Sequence, residues 1–297
     1  MAEESSLTTL IGDEIQGDEQ WSDFVDGGDG FFYGIPSSAR RVVKFNPLDK
    51  SLTEIGPDLG EGEFKWLCGV RANIGSIYCA PYDAKHILNI NTIDGTVETL
   101  DNVELPEAVG DLWASGALAA DNNIYYMPCD AHRIMRLNPD NDSPSSVGGD
   151  LEGEFKYRGT VVGSDDYVCG IPHNATRIIK FDPSNPDTTS TVGEVADRRF
   201  DCGNGVLAGD GYIYAVNCAG QVLQIDTTSN NYTWIGDPIY SRGRVTLLLE
   251  LISVFIGPHA MPTVYSSLIP RHNNCHRSWG VTLLVKEMMT TGRLEEL

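Results

Sequence analysis

The chain is short of positive charge and contains no long apolar run. Its 297 residues include 21 Lys or Arg against 42 Asp or Glu, which gives a formal net charge of −21. A surface this negative repels phosphate backbones, so we expect no nucleic acid partner. The longest apolar stretch, Val245 to Gly257, is interrupted by Glu250 and is too short to cross a bilayer, so we expect no membrane partner.

Targeting and catalytic signatures are also missing. The start, MAEESSLTTL, has neither the basic region nor the apolar core of a signal peptide, which favours an intracellular location. Seven cysteines occur without a C-x-x-C pair, and we interpret them as free thiols in a reducing compartment. The sequence contains no G-x-S-x-G and no H-E-x-x-H motif, so no catalytic residue is assigned.

What the chain does contain is a repeat of about 45 residues. One phrase recurs five times, and the apolar residue at its centre recurs after 45, 47, 44 and 44 residues. The phrases are RVVKFNP (41–47), HILNINT (86–92), RIMRLNP (133–139), RIIKFDP (177–183) and QVLQIDT (221–227). An aromatic residue stands fifteen positions before a proline in four copies, at Trp21, Trp66, Trp113 and Tyr157, and Phe200 takes a similar place in the fifth.

Each copy is predicted to form four short β-strands. The segments are rich in β-branched and aromatic residues that alternate with polar ones, and they show no helical period. A single four-stranded sheet cannot cover both of its faces, so neighbouring sheets must stack around an axis. The sequence therefore predicts an all-β fold, a β-propeller with five visible blades and six or seven in the complete ring. An open β-solenoid is the alternative.

The repeat also predicts the domain organisation. We place blades at residues 17–56, 62–101, 109–148, 153–193 and 198–236 within a propeller of residues 1–240. Residues 8–12 match the last strand of a blade and are expected to close the ring, which would hide unpaired strand edges.

The repeat stops after residue 240. The net charge changes from −23 for residues 1–240 to +2 for residues 241–297. Three interpretations of this tail remain open: a divergent last blade, a small separate appendage, or translation in a shifted reading frame. The abruptness of the change favours the third.

The phrase Y-G-I-P-x-x-A-x-R-[VI]-[VI]-K-F-[ND]-P resembles the repeats of uncharacterised propeller proteins in the broad NHL, YVTN and SMP-30-like group. The resemblance extends over roughly residues 8–240. It implies the propeller architecture, and the group includes scaffolds, ligand binders, lactonases and lyases. The resemblance is therefore specific for architecture and weak for activity.

One rim of the propeller is the predicted binding surface. It carries the loops between the second and third strands together with the linkers between blades, and repetition should place rings of cations, carboxylates and aromatics there. The predicted binding residues are Trp21, Arg41, Trp66, His86, Trp113, Arg133, Tyr157 and Arg177. Aromatic rings would supply apolar area, and Arg forks would hold a carboxylate or phosphate. In the competing interpretation, each Arg pairs with an acidic loop and each aromatic packs between blades.

The sequence shows no evident cofactor, although acidic turns make Ca²⁺ a candidate. Asp140-Asn141-Asp142 and Asp165-Asp166 supply oxygen ligands, but neither has EF-hand spacing, and turn chemistry explains both. His86, His132 and His173 occupy three different repeat positions, so no metal site is assigned.

Two functional hypotheses follow. The first is a non-catalytic propeller, acting as a monomeric binding or scaffold protein for a protein or small-molecule ligand. The second is a metal-assisted lactonase or a lyase with its site at the central channel, and it depends on the acidic surplus and on the family resemblance.

Overall fold

The computed structural model describes residues 20–106, 110–194, 200–217 and 219–236, together with the backbone of 265–268 and 281–284. Each repeat forms one antiparallel four-stranded sheet in which consecutive strands are neighbours. The described residues form strands and turns only. Within them, no helix is long and apolar enough to cross a membrane. The prediction of an all-β fold with four strands in each repeat is therefore confirmed.

The strand bounds are as follows. The first sheet contains β1 (Trp21–Asp26), β2 (Phe32–Pro36), β3 (Val42–Asn46) and β4 (Ser51–Ile55). The second contains β5 (Val70–Arg71), β6 (Ser76–Cys79), β7 (Leu88–Asn91) and β8 (Val97–Thr99). The third contains β9 (Trp113–Leu118), β10 (Ile124–Pro128), β11 (Ile134–Asn138) and β12 (Ser143–Val147). The fourth contains β13 (Tyr157–Val162), β14 (Val168–Pro172), β15 (Ile178–Phe181) and β16 (Thr189–Val192). The fifth contains β17 (Cys202–Leu207), β18 (Ile213–Asn217), β19 (Val222–Asp226) and β20 (Asn231–Ile235). A separate antiparallel pair consists of β21 (Tyr265–Leu268) and β22 (Val281–Leu284).

The first strand of each sheet is the innermost. β5 lies against β1 and β9, and β13 lies against β9 and β17. Burial is complete along second strands such as β2, whereas every residue of β4 is exposed or half-buried. The sheets therefore radiate from a common axis, with the first strands lining it and the fourth strands on the outside.

Apolar clusters hold neighbouring sheets together. Four such clusters join the first sheet to the second, the second to the third, the third to the fourth and the fourth to the fifth. Two smaller clusters, around Val43 and Phe45, belong to the first sheet alone and lie on the face that turns away from the second. Among the described residues, no cluster joins the fifth sheet to the first. Stacking thus buries one face of each sheet against the next, as the repeat predicts.

A relay of backbone hydrogen bonds also ties the sheets together at one rim. The amide of Ser37 donates to the carbonyl of Gln20 (2.9 Å), and the amide of Lys65 in the next blade donates to the carbonyl of Ser37 (3.2 Å). The series then continues in the same way: each amide donates to the carbonyl of the residue before it in the series, at 2.8–3.0 Å, through Tyr82, Leu112, Cys129, Lys156, His173 and Asp201. These loops and linkers, which we call the loop rim, are therefore fixed by paired backbone groups.

The opposite rim carries the turns between first and second strands, which are fixed by tyrosine–aspartate bonds. The hydroxyls of Tyr33, Tyr125 and Tyr214 each donate to the Asp four residues earlier, at 2.8 Å in every case. In the first blade Lys44 also donates to Asp29, at 3.1 Å. Burial alone would raise the pKa of Asp29, but the hydrogen bonds from Tyr33 and Lys44 hold it below its usual value.

The fifth blade differs from the sequence prediction at one position. Cys202 pairs with Asn217, as Trp21 pairs with Pro36 and Tyr157 with Pro172, so Cys202 rather than Phe200 occupies the register of the aromatic. Phe200 stacks instead on Trp234 at 5.8 Å. Phe200 therefore lies two residues before the predicted register, yet it packs in the cluster between the fourth and fifth sheets, as Trp66 and Tyr157 pack in the corresponding clusters.

Two sequence predictions cannot be compared with the fold. The closing strand expected at residues 8–12 lies outside the described residues. So does the tail of residues 241–297, apart from the backbone of β21 and β22, which lies beside β1.

Candidate functional site

The predicted aromatic residues are buried and bonded inside the blades. The indole nitrogens of Trp21, Trp66 and Trp113 donate to main-chain carbonyls twenty residues downstream, those of Arg41, His86 and Arg133, at 3.0, 2.9 and 3.2 Å. Trp113 and Tyr157 are 0% and 1% exposed. Each indole thus anchors the start of the third strand, which leaves little of these rings for a ligand to contact.

The predicted cations have acidic or carbonyl partners close by in sequence. Arg133 lies 3.0 Å from Asp150, and His86 lies 3.9 Å from Asp101. The Arg41 guanidinium donates to the carbonyl of Gly56, and Arg177 is exposed. For Arg41, His86 and Arg133, this arrangement supports the interpretation in which the side chain pairs with the end of its own blade or the loop that follows it.

A different group of side chains comes together where the repeat is least regular. Tyr82 follows the proline of the second strand, where the other blades have Ser37, Cys129 and His173. Asp111 stands two residues before the aromatic of β9, and Arg158 directly follows the aromatic of β13. We call Tyr82, Asp111, Cys129 and Arg158 the axial cluster, because these residues belong to the innermost strands and the loops beside them.

The axial cluster is compact and mostly buried. Tyr82, Cys129 and Arg158 are 5%, 0% and 7% exposed, and Asp111 is half-buried. The hydroxyl of Tyr82 lies close enough to the Asp111 carboxylate to influence its pKa, and it lies 4.0 Å from the Cys129 sulfur. Arg158 is close enough to act electrostatically on all three, and its guanidinium lies 6.0 Å from the ring centre of Phe155. Three consecutive blades therefore contribute to one polar group.

Burial determines the protonation of this cluster. Burial raises the pKa of Asp111, and the nearby carboxylates of Asp130 and Asp83 raise it further. The Tyr82 hydroxyl and the Arg158 guanidinium act in the opposite direction. Burial likewise raises the pKa of Cys129 to about 12 and that of Tyr82 above its usual value. Cys129 is therefore a neutral thiol at pH 7, which makes it unsuitable as a nucleophile.

Aromatic rings and carboxylates surround the cluster. Phe64, Leu67 and Phe155 pack against Tyr82, Ala114 and Cys129. Phe64 and Phe155 have positive φ angles of 54° and 49°, which bulky residues adopt only when their surroundings impose them.

Hydrogen bonds help to impose this conformation on the two phenylalanines. The Asp130 carboxylate accepts the amide of Phe155 at 2.6 Å, and the carbonyl of Phe64 accepts the amide of Asp83 at 3.1 Å. The axial end of the loop rim is thus a rigid, aromatic and acidic surface.

Sequence reasoning missed the axial cluster because it searched for identical residues in every copy. The signal was present in the departures from the repeat. Asp111 stands where the second and fourth copies have Phe64 and Phe155, although the first copy has Glu19 there. Arg158 stands where the first three copies have the uncharged Ser22, Leu67 and Ala114. Searching for charged residues at positions that most copies leave uncharged would have found both.

The acidic turns considered for Ca²⁺ use their oxygens within the protein. Asp142 accepts the hydroxyl of Tyr78 at 2.6 Å, and Asp165 accepts Lys180 at 3.1 Å. Over the described ranges, no three His, Cys, Asp or Glu side chains are placed to share a metal ion. Calcium binding stays a prediction without an assembled site in that part of the chain.

Comparison with known proteins shows the fold. The chain matches no protein-family model and no curated protein sequence. It is similar to a streptogramin B lyase structure, with 15% identity, a TM-score of 0.62, and coverage of 76% of this chain and 71% of that chain. It is similar to virginiamycin B lyase from Staphylococcus aureus, with 17% identity, a TM-score of 0.63, and coverage of 76% and 73%. These likenesses confirm the β-propeller architecture and leave the ligand or catalytic role open.

Proposed function

We propose that the chain is a non-catalytic binding propeller whose ligand is held at the axial end of the loop rim. The axial cluster is the observation that supports this proposal. Side chains that serve only the blade tend to repeat with it, whereas a site for an asymmetric ligand need not. Tyr82 and Arg158 differ in type from the residues at equivalent positions, and Asp111 shares its acidic character only with Glu19 of the first copy, yet the three meet in one place.

The chemistry of the axial end favours a ligand with a cationic group, such as an amine or a guanidine. Among the charged groups that act on Asp111, the two carboxylates of Asp83 and Asp130 outnumber the cation Arg158. The rings of Phe64 and Phe155 add faces on which a cation is stabilised. A small amine or a protein segment carrying Lys or Arg would meet these requirements. Monomeric behaviour and the absence of nucleic acid and membrane partners are part of the same proposal.

Three probes that share one ring test the ligand class. Benzylamine, benzyl alcohol and benzoate differ in charge, and ligand-observed NMR measures their binding to the full chain. We expect benzylamine to bind best, because its ammonium group complements the carboxylates. Preferential binding of benzoate would contradict the proposal.

Two variants locate the site of benzylamine binding. Asp111→Asn keeps a side-chain oxygen for the Tyr82 hydroxyl but removes the charge, and we expect it to weaken benzylamine binding roughly tenfold, or about 1.4 kcal/mol. Arg133→Ala is the matched control on the outer part of the same rim and should leave binding unchanged. Loss of binding in Arg133→Ala alone would place the site among the recurring arginines instead.

A lyase is the second candidate function. The pKa of Asp111 is raised by burial and its carboxylate lies near the Tyr82 hydroxyl, and a group of this kind is suited to proton transfer. Incubation with virginiamycin B, followed by mass spectrometry, tests it directly. Turnover that is lost in Asp111→Asn would favour the lyase over a purely binding role. The lactonase version requires a metal, and a Ca²⁺-dependent rise in melting temperature would support it.

The family assignment also remains a proposal. The repeat phrase supports membership of the NHL, YVTN and SMP-30-like group, while the solved structures support the propeller architecture alone.

A further inference from the structure

One face of the fifth sheet retains the apolar residues that bind the next blade elsewhere in the ring. We infer that this face, formed by Val206, Val222 and Ile235, is a docking surface for residues 237–297 of the same chain. The inference is independent of the ligand proposed above.

A pair of apolar residues marks the face that the first, third and fourth sheets turn to their successors. The pair lies between the start of the third strand and the end of the fourth, as Val42↔Ile55, Ile134↔Val147 and Ile178↔Val192. Each pair belongs to a cluster that contains an aromatic residue of the next blade, namely Trp66, Tyr157 and Phe200 respectively. The pair is therefore a recurring contact between blades.

The fifth sheet has the same pair in the same register, Val222↔Ile235, but Ile235 is 44% exposed. The equivalent Val147 and Val192 are 4% and 0% exposed.

The inner strand of the fifth sheet shows the same difference. Val206 lies opposite Tyr214, as Val161 lies opposite Cys169 in the fourth sheet. Val206 is 37% exposed, whereas Val161 is 8% exposed. Apolar residues at positions that are buried in other blades indicate that something covers this face.

The chain that follows the fifth sheet is a suitable occupant. Residues 237–297 begin directly after β20 and exceed the length of one repeat of about 45 residues. They include the apolar stretch from Val245 to Gly257. Residues 241–297 have a net charge of +2, whereas residues 1–240 have a net charge of −23, so attraction between the two parts would favour docking.

Part of this segment already lies beside the first sheet. The backbone of β21 and β22 lies beside β1, and the fifth and first sheets share no apolar cluster within the described residues. Solved propellers of this kind also contain more chain than the five sheets match, since coverage of those chains is 71% and 73%. A second copy is a weaker candidate, because a fifth-sheet-to-first-sheet contact between copies is heterologous and need not close.

Photo-crosslinking of the full chain identifies the occupant. Benzoylphenylalanine replaces Ile235 in one variant and Leu48, which is 92% exposed, in the control. Mixing isotopically light and heavy chains before irradiation separates crosslinks within a chain from crosslinks between copies. We expect position 235 to crosslink to residues 237–297 of the same chain and position 48 not to do so. Crosslinks to a second copy, crosslinks to residues 1–19, or none at all would each overturn the inference.

Thiol labelling gives a second measurement that needs no crosslink. In the native full chain, Ile235→Cys should react with iodoacetamide roughly tenfold more slowly than Leu48→Cys, because docking protects the site except during local opening. Peptide mass spectrometry distinguishes the new thiol from the native cysteines. Equal labelling rates would show an open face and overturn the inference.

Discussion

The indole nitrogen of Trp113 lies 3.2 Å from the carbonyl of Arg133 in a wholly buried position. Replacing Trp113 by Phe removes the donor of this part-buried hydrogen bond, so we expect the free energy of unfolding to fall by about 1–3 kcal/mol. Urea denaturation measures the change. Arg133→Ala removes an exposed ion pair with Asp150 and should cost about 0–1 kcal/mol. A larger loss for Arg133→Ala than for Trp113→Phe would contradict these assignments.

The raised pKa of Asp111 makes stability depend on pH. The folded protein holds this proton more tightly than the unfolded chain, whose value is near 3.8. The stabilisation is therefore complete below the unfolded pKa and is lost as the pH rises through the folded pKa. Relative to Asp111→Asn, the parent protein should lose stability across that window, as urea titrations at a series of pH values would show.

Asp182 provides the opposite control for the pH series. Hydrogen bonds from Ser184 lower the pKa of Asp182, so its stabilisation is present above the unfolded pKa and is lost as the pH falls through the folded value. Asp182→Asn should therefore differ from the parent protein mainly above pH 3.8. If the stability difference between parent and variant changed with pH in the same direction for Asp111→Asn as for Asp182→Asn, the raised pKa of Asp111 would be contradicted.

For individual residues, the sequence predicted which ones lie near the loop rim but not which ones meet at its axial end. The spacing of Trp113 and Arg133 repeats in other blades, so their rim position was predictable. Spacing does not reveal burial, however. The Trp113 ring is buried inside the blade, and its indole nitrogen donates a hydrogen bond to a main-chain carbonyl. Asp111 and Arg158 are separated by 47 residues, so only the ring geometry could bring them together.

Turns between the first and second strands are fixed by a tyrosine hydroxyl, but the environment varies between blades. Tyr33 is wholly buried and shares Asp29 with Lys44, whereas Tyr214 is half-buried and bonds to Asp210 beside Gln224. We expect Tyr33→Phe to lower the free energy of unfolding by about 1–2 kcal/mol and Tyr214→Phe to lower it less, because water can reach Asp210. Equal losses in urea denaturation would contradict this difference in burial.

The backbone relay of the loop rim predicts a pattern of hydrogen exchange. The amides of Lys65, Leu112 and Lys156 lie outside the strands but donate across blades at 2.9–3.2 Å. We expect them to exchange as slowly as strand amides, because their release requires neighbouring blades to separate. The amides of Gly62 and Gly153, earlier in the same linkers, serve as controls. Equally fast exchange in both sets would show that the relay is absent.

Strands were predictable from the alternation of residue types, whereas the contacts between blades were not. Asp29-Gly30 and Asp210-Gly211 mark turns that the structure places between first and second strands. The relay, by contrast, depends on main-chain atoms of Ser37 and Lys65, which no pattern of side chains reports. For the same reason, the register of Cys202 became clear only from its pairing with Asn217.

The whole molecule combines five similar sheets with two places where the similarity ends. One is the axial cluster, where three blades contribute unlike polar residues. The other is the outward face of the fifth sheet, where Val206 and Ile235 retain apolar character without a described neighbour sheet. Repetition explains the architecture, and departures from repetition carry the proposals for binding and docking.

A crystal structure of the full chain soaked with 4-bromobenzylamine would test the proposed binding site, because the anomalous signal of bromine locates the probe without ambiguity. We expect sheets arranged around one axis and a bromine peak at the axial end, with the ammonium group beside Asp111 and the ring near Phe64 or Phe155. A peak beside Arg41, Arg133 or Arg177, with none at the axial end, would contradict this site.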